Sequence, residues 1–368
     1  VRERGARDRA GAGRGLIDVL VAGGGPAGLA TAIHAALAGM EAVVVEPRTG
    51  PVDKACGEGL MPGGVAALAA MGVHPAGRPL RGIHYLDGRH QARAAFGHAD
   101  GRGVRRTVLH AALARRAAEL GVTTVAGRVR EVRQDRDGVV AAGLRARWLV
   151  AADGLHSPAR RSLGLDLPDR GPRRYGLRAH FRLAPWTDFV EVHWSGDGGE
   201  AYVTPVADDL VGVAILTSRR RPYPEHLAAF PALLARLAGA GAGDGTAPGM
   251  EGRTEPVTVV LGAGPLRRRV RARVAGRILL VGDAAGYTDA LTGEGVSLAV
   301  RCAEALVGCL RRDRPQDYER AWRRLSRTHR LLTGALLLAA HRPATARLVV
   351  PAAQRMPALF TSVVRALA

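Results

Sequence analysis

Gly23, Gly25 and Gly28 stand in the spacing G-x-G-x-x-G, and each glycine of that pattern has its own task. The first permits a tight turn, the second lets a pyrophosphate approach the backbone, and the third lets a helix pack closely on a strand. Glu46 follows eighteen positions after Gly28. A carboxylate there accepts hydrogen bonds from both ribose hydroxyls of an adenosine and repels a 2′-phosphate. Together these residues describe a dinucleotide gripped by its diphosphate and its ribose. Two more carboxylates stand beside glycines: Asp153 and Gly154 in AADGLHSPARR, with Ser157 and Arg160 after them, and Gly282 and Asp283 in LVGDAAG. An aspartate at such a strand end suits a polyol hydroxyl, and a helix start after it suits negative charge on a ring or phosphate.

The elements that must position these residues are legible around them. Asp18 to Ala22 is a β-rich apolar run that breaks at Gly23, Gly24 and Gly25. A helical pattern then runs from Pro26 to Gly39, with Ala32, Ala36 and Gly39 on one small-residue face, and a second apolar strand, Ala42 to Val45, ends at Glu46. In this strand–helix–strand unit the free amides at the helix start favour an anion. WLVAADG and RILLVGDAAG repeat the buried-strand pattern, the latter followed by a long helix from about Gly293 to Leu310. Thr107 to Leu120 reads as an amphipathic helix with Val108, Leu109, Leu113 and Leu120 inward and Arg115 and Arg116 outward. Strands at 122–126 and 128–133 lead to a hairpin turn at Asp135 to Gly138.

Between Tyr175 and Leu216 the pattern changes to four alternating segments, YGLRAHFRL, FVEVHW, EAYVTPV and DLVGVAIL. They suggest an antiparallel sheet with one solvated or ligand-facing side. Residues 82–96 read as a strand pair, a helix from about Glu225 to Leu237 interrupts the sheet, GAGAGDGTAPG is a flexible loop, and PVTVVL is expected to return to the sheet. The glycines of CGEGLMPG imply backbone lying close to something flat or bulky, ahead of a helix from about Pro62 to Met71. The expected fold class is α/β. A Rossmann-like domain draws on 17–80, 100–170 and 270–312, an inserted antiparallel β-sheet substrate domain on 81–99 and 171–269, and a C-terminal helical region on 313–368, after a disordered segment, 1–16.

The chain carries a formal charge of +20, yet Lys54 is the sole lysine and the arginines are scattered among Ala and Gly. No nucleic-acid motif accompanies them, so the charge argues for anionic lipid or acidic partners and against nucleic acid. Cys56, Cys302 and Cys309 have no metal spacing, and their odd number argues against a disulfide framework; no metal site is expected. Cys302 and Cys309 share one helical face. The longest apolar stretch, Leu331 to Ala340, is too short to cross a bilayer. A cytoplasmic protein fits, with peripheral membrane contact through the arginine- and leucine-rich C-terminal helices as an option.

From Asp18 to the helix after Gly293 the chain resembles the FAD-dependent superfamily of aromatic hydroxylases and geranylgeranyl reductases. The resemblance implies that Gly23, Gly25, Pro26, Ala27 and Gly28 bind the ADP part of FAD and that Glu46 binds its ribose. It places Arg106 and Val129 by the cofactor, and Cys56 and Gly57 in its flavin-proximal loop. Asp153, Gly154 and Arg160, in the DGxxSxxR motif, serve FAD and the nicotinamide donor; Gly282 and Asp283 hold the ribityl chain; Gly293 and Gly295 open the helix facing the flavin. NAD(P)H is the implied electron donor. KACGEGLMP is similar to a stretch shared by prenyl reductases and by hydroxylases of lipid-like phenols, so it does not separate them. Prenyl reductases and flavin halogenases carry a tryptophan-rich strand where this chain has EAYVTPV, and the single lysine argues against a halogenase.

The leading expectation is therefore hydroxylation of a hydrophobic aromatic, phenolic-lipid or polyketide-type substrate through a C4a-hydroperoxyflavin. The alternatives are a prenyl reductase and a non-catalytic flavin-binding protein. His84, His180, His193 and Tyr202 are candidate bases on the substrate sheet, and Cys56 is a candidate beside the flavin.

Overall fold

The computed structural model describes residues 16–169, 171, 173–196, 198–239, 255–341 and 343–367. The expectation for the first sixteen residues, Leu16 apart, lies outside them, as does that for nearly all of the GAGAGDGTAPG loop. On either side of the glycine turn, Ile17–Ala22 and Ala42–Glu46 lie side by side as parallel strands. Leu144–Ala151 joins the other edge of Ile17–Ala22, Ile278–Leu280 lies beyond it, and Thr123–Ala126 flanks Ala42–Glu46, all parallel. The central stretches Val19–Ala22, Val43–Val45, Trp148–Ala151 and Ile278–Leu280 are apolar because both faces of the sheet are covered there. Val19, Val21, Val44 and Val150 meet the helices Pro26–Leu37, Arg106–Glu119 and Gly295–Arg311, while Leu20, Val43, Val45 and Leu149 meet the hairpin Val132–Gln134/Val139–Ala141. Each such side chain contributes roughly 1.5–3 kcal/mol by burial.

The second sheet has seven strands among the described residues, in the order Leu261–Ala263, Tyr175–Arg182, Leu210–Thr217, Glu200–Ala207, Phe189–Trp194, Gly82–Leu86, Gln91–Ala95. It is antiparallel except where Phe189–Trp194 runs parallel to Gly82–Leu86. One face packs Phe181, Val203, Val213 and Ile215 against Tyr223, Leu227, Phe230 and Leu233. The helix expected from Glu225 to Leu237 is two, Tyr223–Leu227 and Pro231–Gly239, since Pro231 has no N–H to continue the first ladder. The opposite face looks across a cavity at the parallel sheet. A three-stranded ribbon, Gly59–Leu60, Gly101–Gly103 and Arg78–Leu80, joins the two halves. Its backbone passes so close to the second sheet that a Cβ on Gly103 would stand 1.7 Å from the Pro205 carbonyl oxygen.

The chain ends in helices Asp317–His341, Pro343–Ala346, Val349–Arg355 and Pro357–Leu367. Val350, Phe360 and Val364 pack with Tyr85, Ala94 and Trp194, closing the cavity on the side away from the glycine turn. Two details differ from the sequence reading of Arg106–Glu119. Val108 is exposed rather than inward, and Arg116 folds back to donate to the Met71 carbonyl at 2.9 Å. The strand expected at 128–133 is confined to Val132–Gln134. Among the described residues no helix is long and apolar enough to cross a membrane.

Candidate active site

One continuous cavity of about 970 Å³ lies between the two sheets and the C-terminal helices. At one end it is walled by Gly23, Gly25, Pro26 and Ala27, with Glu46, Arg48, Arg106, Arg128 and Val129 around them. Gly23 turns with φ +106°, and a Cβ there would stand 2.6 Å from the Ala152 carbonyl oxygen. Gly28 is not in the wall: it packs beneath, where a Cβ would fall 1.9 Å from the Gly23 carbonyl oxygen. The helix Pro26–Leu37 therefore starts directly at the cavity with its first amides free of side-chain caps, a setting that favours an anion. Glu46 accepts from the Gly24 amide at 2.7 Å and from Arg48 Nε at 2.7 Å. Burial works to raise its pKa, but the hydrogen bonds from the Arg48 side chain and the Gly24 amide prevail and hold the carboxylate below its ordinary value.

The two acidic turns meet in the middle of the cavity, where Asp153, Gly154, Gly282 and Asp283 all line the wall. Asp153 Oδ2 accepts from the Ala159 amide at 3.0 Å, while Oδ1 is buried with no protein partner. Burial pushes the Asp153 pKa up, against the hydrogen bond from Ser157. Gly282, at φ +62°, lies where a Cβ would come 2.7 Å from Ala27 Cβ, so the two glycine turns touch. Asp283 pairs with Lys54 at 2.9 Å. Arg160 is 1 % exposed and absent from the cavity wall. It donates to Asp166 Oδ1 (2.6 Å), to the carbonyls of Ala284 (3.1 Å) and Leu155 (2.9 Å), and at 3.4 Å to that of Asp283. Arg160 thus ties the first acidic turn to the second.

Cys56 and Gly57 line the middle of the cavity in a loop supported from below. Glu58, at φ +60°, is buried and accepts from the Arg106 amide at 2.8 Å. His180 Nε2 lies 2.6 Å from Glu58 Oε2, and Arg178 donates to His180 Nδ1 at 2.9 Å and also reaches Asp53. An arginine donating to Nδ1 leaves the ring proton on Nε2, directed at Glu58. His180 therefore holds the loop and is absent from the cavity wall.

At its other end the cavity is lined by Ile83, Tyr85, Val190, Val192, Tyr202 and Leu216 from the sheet and by Leu336, Ala353, Met356 and Phe360 from the helices. Strand alternation decides the membership. Val190 and Val192 point in, so Glu191 and His193, the odd partners on the same strand, point out. His193 Nε2 lies 3.1 Å from Glu191 Oε2, and His84 Nδ1 lies 3.8 Å from Glu191 Oε1. Of the candidate bases, Tyr202 and Cys56 line the cavity, and none of the three histidines does. Tyr202 Oη donates to the Leu291 carbonyl at 3.1 Å, and burial keeps its hydroxyl protonated, its pKa well above the ordinary value. Behind it, fully buried Glu200 contacts Arg174, which also lies 3.4 Å from Asp289. Burial pushes Glu200 up to about 7 against the pull of Arg174.

A family model described as an FAD binding domain matches residues 16–204, half of the chain. The chain belongs to this FAD-binding family. It is 28% identical over 387 residues to menaquinone reductase of Mycolicibacterium smegmatis, covering 95% of this chain and 90% of that one. With digeranylgeranylglycerophospholipid reductase 1 of Methanopyrus kandleri it shares 31% over 313 residues, 77% of this chain and 78% of the other. Among solved structures, p-nitrophenol 4-monooxygenase of Pseudomonas putida superposes with a TM-score of 0.76 at 20% identity, covering 95% and 98% of the two chains. The protein is an FAD-dependent oxidoreductase.

The residues present fit FAD. The cradle is open at Gly25, where a Cβ would enter it and touch nothing else, Arg106 Nε and Asp153 Oδ1 are buried without protein partners, and Glu46 is held ionised at the far end. Gly293 and Gly295 line the wall at the start of the helix Gly295–Arg311. Sequence reasoning missed Arg48, although it stands two residues after Glu46 on the same strand end. It also missed the trio Arg174, Glu200 and Asp289, whose members are far apart in the chain and leave no local signal.

Proposed function

We propose that the protein is a flavin-dependent reductase that saturates double bonds in the isoprenoid chain of a lipid-soluble substrate, a prenyl quinone being the first to try. The observation that carries this reading is the wall of the apolar end of the cavity. From Ile83 through Val190, Val192 and Leu216 to Leu336, Val349, Met356 and Phe360 it has no charged side chain and no histidine. An alkene chain needs shape and dryness, whereas a phenol is helped by a nearby base. His180 lies behind the loop, and His84 and His193 lie on the other face of the sheet; His156, which does line the cavity, follows the Asp153–Gly154 turn at the flavin end and turns its Nδ1 to Arg268 at 3.2 Å. Two relatives, named menaquinone reductase and digeranylgeranylglycerophospholipid reductase, support the same reading.

When bound, reduced FAD would supply a hydride to one alkene carbon while a proton enters at the other, with NAD(P)H the proposed source of the electrons. The Lys54–Asp283 pair and the Cys56–Gly57 loop hold the middle of the cavity, the Tyr202 hydroxyl donates to the Leu291 carbonyl, and the apolar wall excludes water. Hydroxylation of a phenolic lipid is the second reading, favoured by the strand Glu200–Ala207, which carries Tyr202 and no tryptophan. The test is anaerobic turnover: chemically reduced protein is mixed with menaquinone or with an alkylphenol, and products are read by mass spectrometry. Gain of hydrogen by the quinone's chain without oxygen supports reduction. Gain of one oxygen atom by the phenol, only in air, supports hydroxylation instead.

A further inference from the structure

The C-terminal helices carry apolar side chains on two faces. Val349, Ala353, Phe360 and Val364 point into the cavity, while Leu331, Leu338 and Leu348 stand 63%, 74% and 57% exposed on the outside. Met356 and Leu359 belong to both surfaces, lining the cavity and yet 48% and 56% exposed. The cavity therefore opens onto the outer apolar patch at these two residues. A helix apolar on both sides needs a second apolar neighbour, and the charge around the patch says which kind. From Arg320 to Ala368 the sequence has nine arginines and no aspartate or glutamate. On Asp317–His341, the exposed Arg324 and Arg327 continue along the helix into the exposed Leu331, Ala335 and Leu338. Arg347 and Arg355 flank Leu348 and Met356.

We infer that this face docks on an anionic bilayer, with Leu331, Leu338, Leu348, Met356 and Leu359 in the acyl region and the arginines at the headgroups, so that the cavity mouth opens into lipid. Apolar insertion joined to several cations is the combination that holds an interfacial helix reversibly on such a surface. A protein partner would need acidic residues opposite Arg324, Arg327, Arg347 and Arg355, and a second copy of this face would set arginine against arginine. The inference rests on the proposed reading in that the mouth admits a lipid-soluble chain. Docking itself needs no substrate.

The test is flotation of the FAD-loaded protein with vesicles of phosphatidylcholine alone or with phosphatidylglycerol added. Binding to the anionic vesicles that weakens in high salt is expected, with an Arg347→Gln/Arg355→Gln variant weakened about tenfold or more and a Leu338→Asp/Leu348→Asp variant no longer floating. Retained flavin absorbance shows that each variant is folded. Equal binding to neutral vesicles, no binding to either, or a dimer that Leu348→Asp dissociates would each overturn the inference. Docking without reduction of any isoprenoid chain would refute the proposed reaction and leave the docking face standing.

Discussion

At the glycine end the cavity wall is mostly main chain. Gly23 and Gly25, Gly154, Gly282 and Gly293 come from four separate segments, and the side chains that take part, Glu46, Asp153 and Asp283, sit at the ends of strands. At the helical end the wall is side chain: alternate residues of four strands face one side of helices that arrive last in the sequence. A main-chain wall depends on atoms that are missing, so it tolerates no addition. A side-chain wall depends on shape and tolerates exchange of one apolar group for another.

That contrast is tested most sharply by one added methyl group. Gly28→Ala, directly beneath that wall, brings a Cβ within 1.9 Å of the Gly23 carbonyl oxygen, a clash with the backbone of the turn that forms the wall. The expected result is loss of more than about tenfold in FAD retained through purification, with destabilisation of roughly 3 kcal/mol. Val192→Ala, at the other end, should keep its full flavin content and cost about 1–2 kcal/mol in a denaturant melt. Equal flavin loss in the two variants would erase the distinction.

Next in size is the buried trio behind Tyr202. Glu200 is raised from an ordinary value of 4.5 to about 7, so between these limits the folded protein binds a proton that the unfolded chain has released. Its stabilising share is then complete below about 4.5 and lost as pH rises through about 7. Melting temperatures recorded from pH 5 to 8 should fall with pH, roughly, and Glu200→Gln should flatten that slope.

Smaller effects separate the tyrosine from the outward histidine. Tyr202→Phe removes the hydrogen bond to Leu291 and should cost about 1 kcal/mol in stability, with slowed turnover and unchanged FAD content. His193→Gln should cost about 1 kcal/mol through Glu191 and leave turnover and its pH profile unchanged. A shifted pH profile in His193→Gln would return that histidine to the chemistry and favour the hydroxylase reading.

The legibility of the two ends in the sequence follows the same division. Gly23, Gly25, Glu46, Gly154 and Gly282 announce themselves because each acts through its own backbone or its own strand end, so spacing is enough. In FVEVHW the alternation separates Val190 and Val192 from Glu191 and His193, but nothing local says which set faces the cavity. The answer depends on the helices Tyr223–Leu227 and Pro231–Gly239, which cover the other face. His180 shares its face with Arg178 and looked available as a base. It is occupied by Glu58, a residue more than a hundred positions earlier whose positive φ no motif signals. The ribbon of Gly59–Leu60 with Gly101–Gly103 and Arg78–Leu80 escaped notice for a related reason: strands of two or three residues carry no periodicity.

Arg160 has a consequence for anyone recombining this scaffold. Its guanidinium spends its donors on Asp166, Leu155, Asp283 and Ala284, so two segments more than a hundred residues apart behave as one machined part. A chimera that exchanges residues 82–95, 175–217 and the C-terminal helices leaves that part whole and can trade one substrate chamber for another. A crossover between Arg160 and Asp283 that imports only one of the two turns mates halves cut for different partners, and it strands an arginine inside.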